Sequence, residues 1–252
     1  MGDEMSEILP GAEPMSADGG PVGVLVIHGF TGNPSSMRPL AEAFVAAGYT
    51  VEMPLLPGHG TTAQDMATTG WADWSAAVDK TYADLAGRVE RVVVVGLSMG
   101  GSLTCWLAIG HPELAGIVCV NPAVAPQEEM KVGVAALIDA GEEFMDGIGS
   151  DVAKEGVTEL SYDRTPLRPL LTMFDASAEI VPQLGTIRCP LLLMNAPQDH
   201  VVPSSDSDLL AASVSGPVER VSLDRSYHVA TIDHDQDLII DTALEFVARV
   251  TS

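Results

Sequence analysis

Positive charge is what this sequence has least of. Among its 252 residues, 12 Lys and Arg face 35 Asp and Glu, a formal net charge of −23. Phosphate backbones and anionic lipid surfaces repel such a chain, which argues against nucleic-acid binding and polybasic membrane attachment. The acidity itself reads as solubility or adaptation to salt, and the imbalance of three lysines against nine arginines implies no mechanism. Long apolar runs are also missing. None approaches the ~20 residues of a membrane helix, and the acidic stretch 1–7 has no apolar core of a signal peptide. A soluble, cytoplasmic protein without stable membrane insertion is therefore expected. Cysteine is limited to Cys105, Cys119 and Cys189. Each lies in or beside an apolar segment, so they read as reduced, buried small hydrophobes rather than a disulfide framework or a metal site. No cofactor and no metal is expected.

What is present is apolar sequence in alternating order. A hydrophobic content of 46% supports a large core, and a chain of this length suits one α/β domain with an insertion. Strands are read at 22–27, 49–55, 92–95, 114–121, 190–195 and 218–223, with helices at 39–48, 71–88, from the glycine-rich turn at 96–101 to about 111, at 204–213 and at 236–250. Strands alternating with helices imply a mostly parallel sheet with right-handed crossovers and helices on both faces. Residues 1–20 are an extension with room for one short strand. Residues 21–121 and 188–252 form the two parts of the core. Between them, 122–187 shows no buried strand, several amphipathic helical segments and exposed-looking apolar residues that include Met130, Leu137, Phe144, Met145, Leu170, Leu171, Met173 and Phe174. That stretch reads either as a helical cap over the site or as an ordinary helical layer.

The chemistry centres on residues 92–101, Val-Val-Val-Val-Gly-Leu-Ser-Met-Gly-Gly. A buried strand running into a helix puts Ser98 on a sharp turn, where Gly96 and Gly100 avoid a Cβ that would clash with strand or helix. The pattern alone also fits a helix N-cap serine. The strand–turn–helix setting favours a nucleophile instead. A serine nucleophile needs an imidazole to take its proton and a carboxylate to orient that imidazole. In the order Ser, acid, His, only His228 follows the final strand, and Asp199 follows the strand before it. Asp206 and Asp208 sit in the first turn of the next helix, where the macrodipole accounts for them, and Asp233 reads as the N-cap of the last helix. The oxyanion would be held by the backbone N–H of Met99 and of Phe30, in the loop after the first strong strand. His28 reads as an organiser of that loop, and Trp71 and Trp74 as packing residues.

Taken together these residues resemble the α/β-hydrolase superfamily, specifically its small bacterial carboxylesterases and monoacylglycerol lipases. The resemblance rests on His-Gly-Phe-Thr-Gly at 28–32, Pro-Gly-His-Gly at 57–60, Gly-Leu-Ser-Met-Gly-Gly at 96–101, Gln-Asp-His-Val-Val-Pro at 198–203 and Tyr-His-Val-Ala-Thr-Ile-Asp at 227–233. It spans about 22–250. It implies an α/β-hydrolase fold and an ester hydrolase with Ser98 as nucleophile, His228 as base, Asp199 as acid and the Phe30 and Met99 amides as oxyanion hole. It further implies a lid over an apolar acyl tunnel, a small-molecule ester substrate and transient contact with lipid. A thioesterase or other acyl hydrolase of the same fold, and a non-catalytic ligand-binding protein, are the competing readings. One departure is Ser226-Tyr227-His228, where many relatives carry glycine before the histidine, a change that bears on loop shape.

Overall fold

The computed structural model describes residues 6–125 and 127–252, so most of the acidic stretch at the amino terminus lies outside the described residues. The chain runs through β1 (Met15–Ala17), β2 (Val22–Ile27), α1 (Arg38–Ala46), β3 (Thr50–Met53), α2 (Ala63–Met66), α3 (Trp71–Ala86), β4 (Arg91–Leu97), α4 (Met99–Gly110) and β5 (Gly116–Val120). An insertion then carries α5 (Glu128–Asp139), β6 (Phe144–Asp146), β7 (Arg164–Pro166) and α6 (Leu167–Ile180). The core resumes with β8 (Leu191–Asn195), α7 (Ser204–Ser213), β9 (Val218–Ser222) and α8 (Gln236–Thr251).

Seven strands form one sheet in the order β1-β3-β2-β4-β5-β8-β9. Only β1 is antiparallel, pairing with β3 at one edge; every other pair is parallel. This is the α/β-hydrolase fold. Successive side chains of a strand point to opposite faces, which splits the core in two. Leu25, Ile27, Val94 and Ile117 pack with Trp74 and Leu85 of α3, Leu103 and Leu107 of α4 and Phe174 of α6. Val24, Val26, Val93 and Val95 pack on the other face with Phe44 of α1 and Phe246 of α8. The near-continuous apolar strands follow from burial on both faces. The edge strand β9 instead alternates between exposed and half-buried residues, and its Glu219 and Arg220 keep that edge charged.

The structure corrects the reading of 122–187 in two respects. The stretch is not free of buried strand: β6 and β7 form an antiparallel ribbon, and Thr165 and Pro166 of β7 are buried. Of the residues read as exposed, Met130, Leu137 and Met145 are, whereas Leu170, Met173 and Phe174 are buried on the inner face of α6. The amphipathic period of α6 was plain, but period alone does not say which side meets the core. Among the described residues no helix is long and apolar enough to cross a membrane, and the three thiols are free, two of them buried.

Candidate active site

The site begins where β4 gives way to α4. Ser98 occupies that junction with φ 56° and ψ −119°, a left-handed conformation that a non-glycine residue adopts only when its surroundings compel it. The surroundings are visible in the flanking glycines. A Cβ on Gly96 would lie 2.1 Å from the Gly100 carbonyl oxygen, and one on Gly100 would lie 2.3 Å from that of Ile27. Backbone packed this closely leaves Ser98 one way to turn, and its side chain lines a cavity above the carboxyl ends of the strands.

The loop after β2 runs beside the serine. A Cβ on Gly29 would come within 3.3 Å of Ser98 Cβ. The backbone N–H groups of Phe30 and Met99 make no hydrogen bond to another described residue, so two donors stand open where the loop and the start of α4 meet. Behind Phe30 lies a packed aromatic group. Phe30 and Trp74 sit edge to face at 5.7 Å, Trp74 and His59 at 5.4 Å, and His59 and His28 at 5.0 Å between ring centres. His28 bonds the Gly29 carbonyl through Nδ1 at 2.9 Å and accepts the Leu56 N–H at Nε2, 3.2 Å away. Burial lowers its pKa to about 4, and burial together with His28 holds His59 well below the usual histidine range. Both rings are therefore neutral braces. Trp74 donates to the Pro57 carbonyl at 3.0 Å, consistent with its reading as a packing residue.

Asp199 and His228 come together across 29 residues of sequence, with Asp199 Oδ2 2.7 Å from His228 Nδ1. The other carboxylate oxygen accepts the Val201 and Val202 N–H groups, each at 2.8 Å. With Nδ1–H donating to Asp199, Nε2 is the nitrogen left to face a neighbour, and His228 and Ser98 line the same cavity. No hydrogen bond joins their side chains in this structure; such bonds commonly tighten only when substrate is present.

The histidine loop itself has no sheet ladder to hold it. Asp233 accepts the Tyr227 N–H at 2.9 Å, Asn121 donates to the His228 carbonyl at 2.7 Å, and Asp151 accepts the His228 N–H at 3.0 Å. Asp233 also accepts N–H groups of Ala153 and Lys154. It is thus a buried tie to the insertion rather than the N-cap of the last helix, a position held by Asp235. Ser226, the departure noted in the sequence, is buried and donates to Asp235 at 2.9 Å. Asp206 does stand in the first turn of α7, as read, but it does more than meet the macrodipole. It is buried, lines the cavity and accepts the Ala125 N–H at 2.8 Å, and burial raises its pKa to about 6. These partners lie up to about a hundred residues away in sequence, and no local pattern marks them.

The cavity encloses about 320 Å³. Leu170, Met173 and Phe174 of α6 wall its buried side, and the exposed Met130, Met145 and Ile148 stand at its open side. Three acids, Asp151, Glu159 and Asp206, also line the cavity. Burial raises the pKa of Glu159 to about 7 against a smaller opposing pull from His228.

Comparison with known proteins places this geometry in a family. Residues 22–235 match the family model described as serine aminopeptidase, S33. A thermostable monoacylglycerol lipase from Bacillus sp. (strain H-257) is 46% identical over 249 residues, covering 98% of both chains. A carboxylesterase from Bacillus subtilis is 28% identical over 242 residues, covering 94% of this chain and 97% of its own. Among solved structures, one of the metagenome-derived lipolytic enzymes LipS and LipT superposes with a TM-score of 0.93 at 41% identity, covering 96% of this chain and 100% of its own. The chain belongs to the S33 family of α/β hydrolases.

Proposed function

We propose that this protein is a serine hydrolase of carboxylic esters with an apolar acyl chain, and that monoacylglycerols are its substrates. The observation that carries the reading is the 2.7 Å bond between His228 Nδ1 and Asp199, made in the wall of the cavity into which the strained Ser98 projects. That bond leaves His228 Nε2 as the base. In the reading, Ser98 Oγ attacks the ester carbonyl carbon and its proton passes to Nε2. The carbonyl oxygen, now negative, is held by the Phe30 and Met99 N–H groups, a contribution on the order of 10²–10³ in rate for one such donor. The imidazolium returns the proton to the departing alcohol. A water then repeats the sequence on the acyl-enzyme, releasing the acid and restoring Ser98.

The substrate class is supported by the apolar wall of Leu170, Met173 and Phe174 and by the monoacylglycerol lipase relative, which matches this chain from end to end. Residues 122–187 act in this reading as a cap, because they supply most of that wall. Glu159 gives the same cavity a carboxyl suited to an alcohol bearing hydroxyl groups. The test is a set of p-nitrophenyl esters of graded chain length run beside 1-monoacylglycerols. Hydrolysis of 1-monoacylglycerols with kcat/KM above that of short p-nitrophenyl esters is expected, and Ser98→Ala should lose on the order of 10⁶ in kcat on every ester. Turnover confined to short water-soluble esters would remove monoacylglycerol from the reading.

A further inference from the structure

The acid and the base of the proposed triad stand on two separate loops, each beyond the end of its own strand. Something must fix the distance between those loops, since a displacement of about 1 Å in a reacting group can cost on the order of 10² in rate. The sheet does not do so directly: β8 and β9 end at Asn195 and Ser222, before either residue is reached.

Two side chains from elsewhere in the fold touch both loops: Asn121, through the His228 carbonyl and the Ala196 N–H, and Asp151. Asp151 belongs to the irregular segment between β6 and β7. Its Oδ2 accepts the His228 N–H at 3.0 Å and the His200 N–H at 3.1 Å, so a single oxygen holds the base and the residue next to the acid. Its Oδ1 lies 2.8 Å from His200 Nδ1, and its backbone carbonyl accepts the Val229 N–H at 3.1 Å. Hydrogen bonds to an ionised acceptor are about twice as strong as neutral ones, and the Asp151 side chain is only 15% exposed. The contact with the His200 ring differs in kind. That ring is 62% exposed, and ion pairs in such positions contribute little.

The same segment is anchored at its other end over the oxyanion loop. Tyr162 donates its backbone N–H to the Thr31 carbonyl at 3.3 Å and its hydroxyl to the Gly58 carbonyl at 2.8 Å. Asn33 donates to the Leu160 carbonyl. Residues 151–162 thus form a strap with Phe30 under one end and the acid–base pair under the other.

Resting on the triad reading above, we infer that Asp151 is a positioning residue for the reaction: its carboxylate holds the Asp199 and His228 loops in register, and it makes the geometry of the triad depend on the inserted segment. It moves no proton and needs no contact with substrate.

The experiment compares Asp151→Ala, Asp151→Asn and Ser150→Ala with the wild type on one monoacylglycerol. Ser150 is the control because its hydroxyl accepts the Glu159 N–H within the strap and touches neither loop. Asp151→Ala should lower kcat about 10- to 100-fold with KM held within about twofold. The downfield proton resonance of the His228–Asp199 bond should broaden or shift with it. Asp151→Asn keeps one oxygen for the two N–H groups but loses the charge, so a fall of about 3- to 10-fold is expected; this variant carries the test if Ala does not fold. Ser150→Ala should match the wild type. Wild-type kcat in both Asp151 variants, a change in KM alone with the resonance unmoved, or an equal loss in Ser150→Ala would each overturn the inference. Failure of the triad reading looks different: Ser98→Ala would keep its activity whatever Asp151 does.

Discussion

The two halves of the site are built by different means. The half that carries Ser98 and Phe30 is held by backbone: a buried strand, a helix start and glycines whose missing Cβ atoms lie 2.1–2.3 Å from neighbouring carbonyls. The half that carries Asp199 and His228 is held by side chains, chiefly Asn121, Asp151 and Asp233, reaching across from other parts of the fold. A backbone-built half has little freedom to relax, so it tolerates almost no change. A half fastened by separate hydrogen bonds should lose function by degrees, one bond at a time.

The comparison can be broken at several points. Gly100→Ala strikes the first half and should have the largest effect, because the new methyl meets the Ile27 carbonyl rather than a movable side chain. A loss of about 3 kcal/mol or more in stability is expected, measured by urea denaturation, with esterase activity near background. A near-native urea midpoint would show that the elbow is more yielding than its geometry implies. Asn121→Ala strikes the second half. It frees the His228 carbonyl and the Ala196 N–H, which Asn121 Oδ1 accepts at 2.7 Å. A cost of about 1–3 kcal/mol and a fall in kcat of about 10- to 100-fold are expected, with the fold intact by circular dichroism. Loss of all activity in a well-folded Asn121→Ala would erase the distinction between the halves.

The smallest effect concerns Glu159, which faces both halves from the strap. Its folded pKa of about 7 exceeds the ordinary glutamate value, so the folded state binds the proton more tightly than the unfolded chain does. The contribution of this carboxyl to stability is therefore present below about pH 4.5 and lost as pH rises through about 7. Glu159→Gln should remove that loss, with an advantage near zero at pH 4.5 growing to about 1–3 kcal/mol above pH 7, the range set by partial contact with solvent. Thermal or urea unfolding of both proteins across that pH range measures it. A constant difference would mean that the carboxyl titrates as an exposed one.

The same division explains what the sequence disclosed. Strand β4, the glycines around Ser98 and the order Phe30, Ser98, Asp199, His228 are local patterns or matters of chain order, and the structure brings Phe30, Ser98 and His228 to one cavity with Asp199 hydrogen-bonded to His228. Asn121 and Asp151 carry no such mark, because a hydrogen bond between residues about 80 or 100 apart leaves no period or spacing to read. Asp233 reads as a helix cap for want of its true partners, Ala153, Lys154 and Tyr227, and Asp206, in the first turn of its helix as read, has a further distant partner in Ala125 that no spacing marks. The insertion was legible as a break in rhythm. Its inner face was not, since the apolar stripe of α6 could equally have faced solvent at a lid edge.

The central claim, that Ser98 is the nucleophile of an ester hydrolase, is tested most directly by labelling the protein with a fluorophosphonate and locating the adduct by mass spectrometry. The account predicts one adduct, on Ser98, forming as ester hydrolysis is lost and absent from Ser98→Ala. An adduct on another residue that tracks the loss of activity, or full hydrolysis by Ser98→Ala, would contradict it.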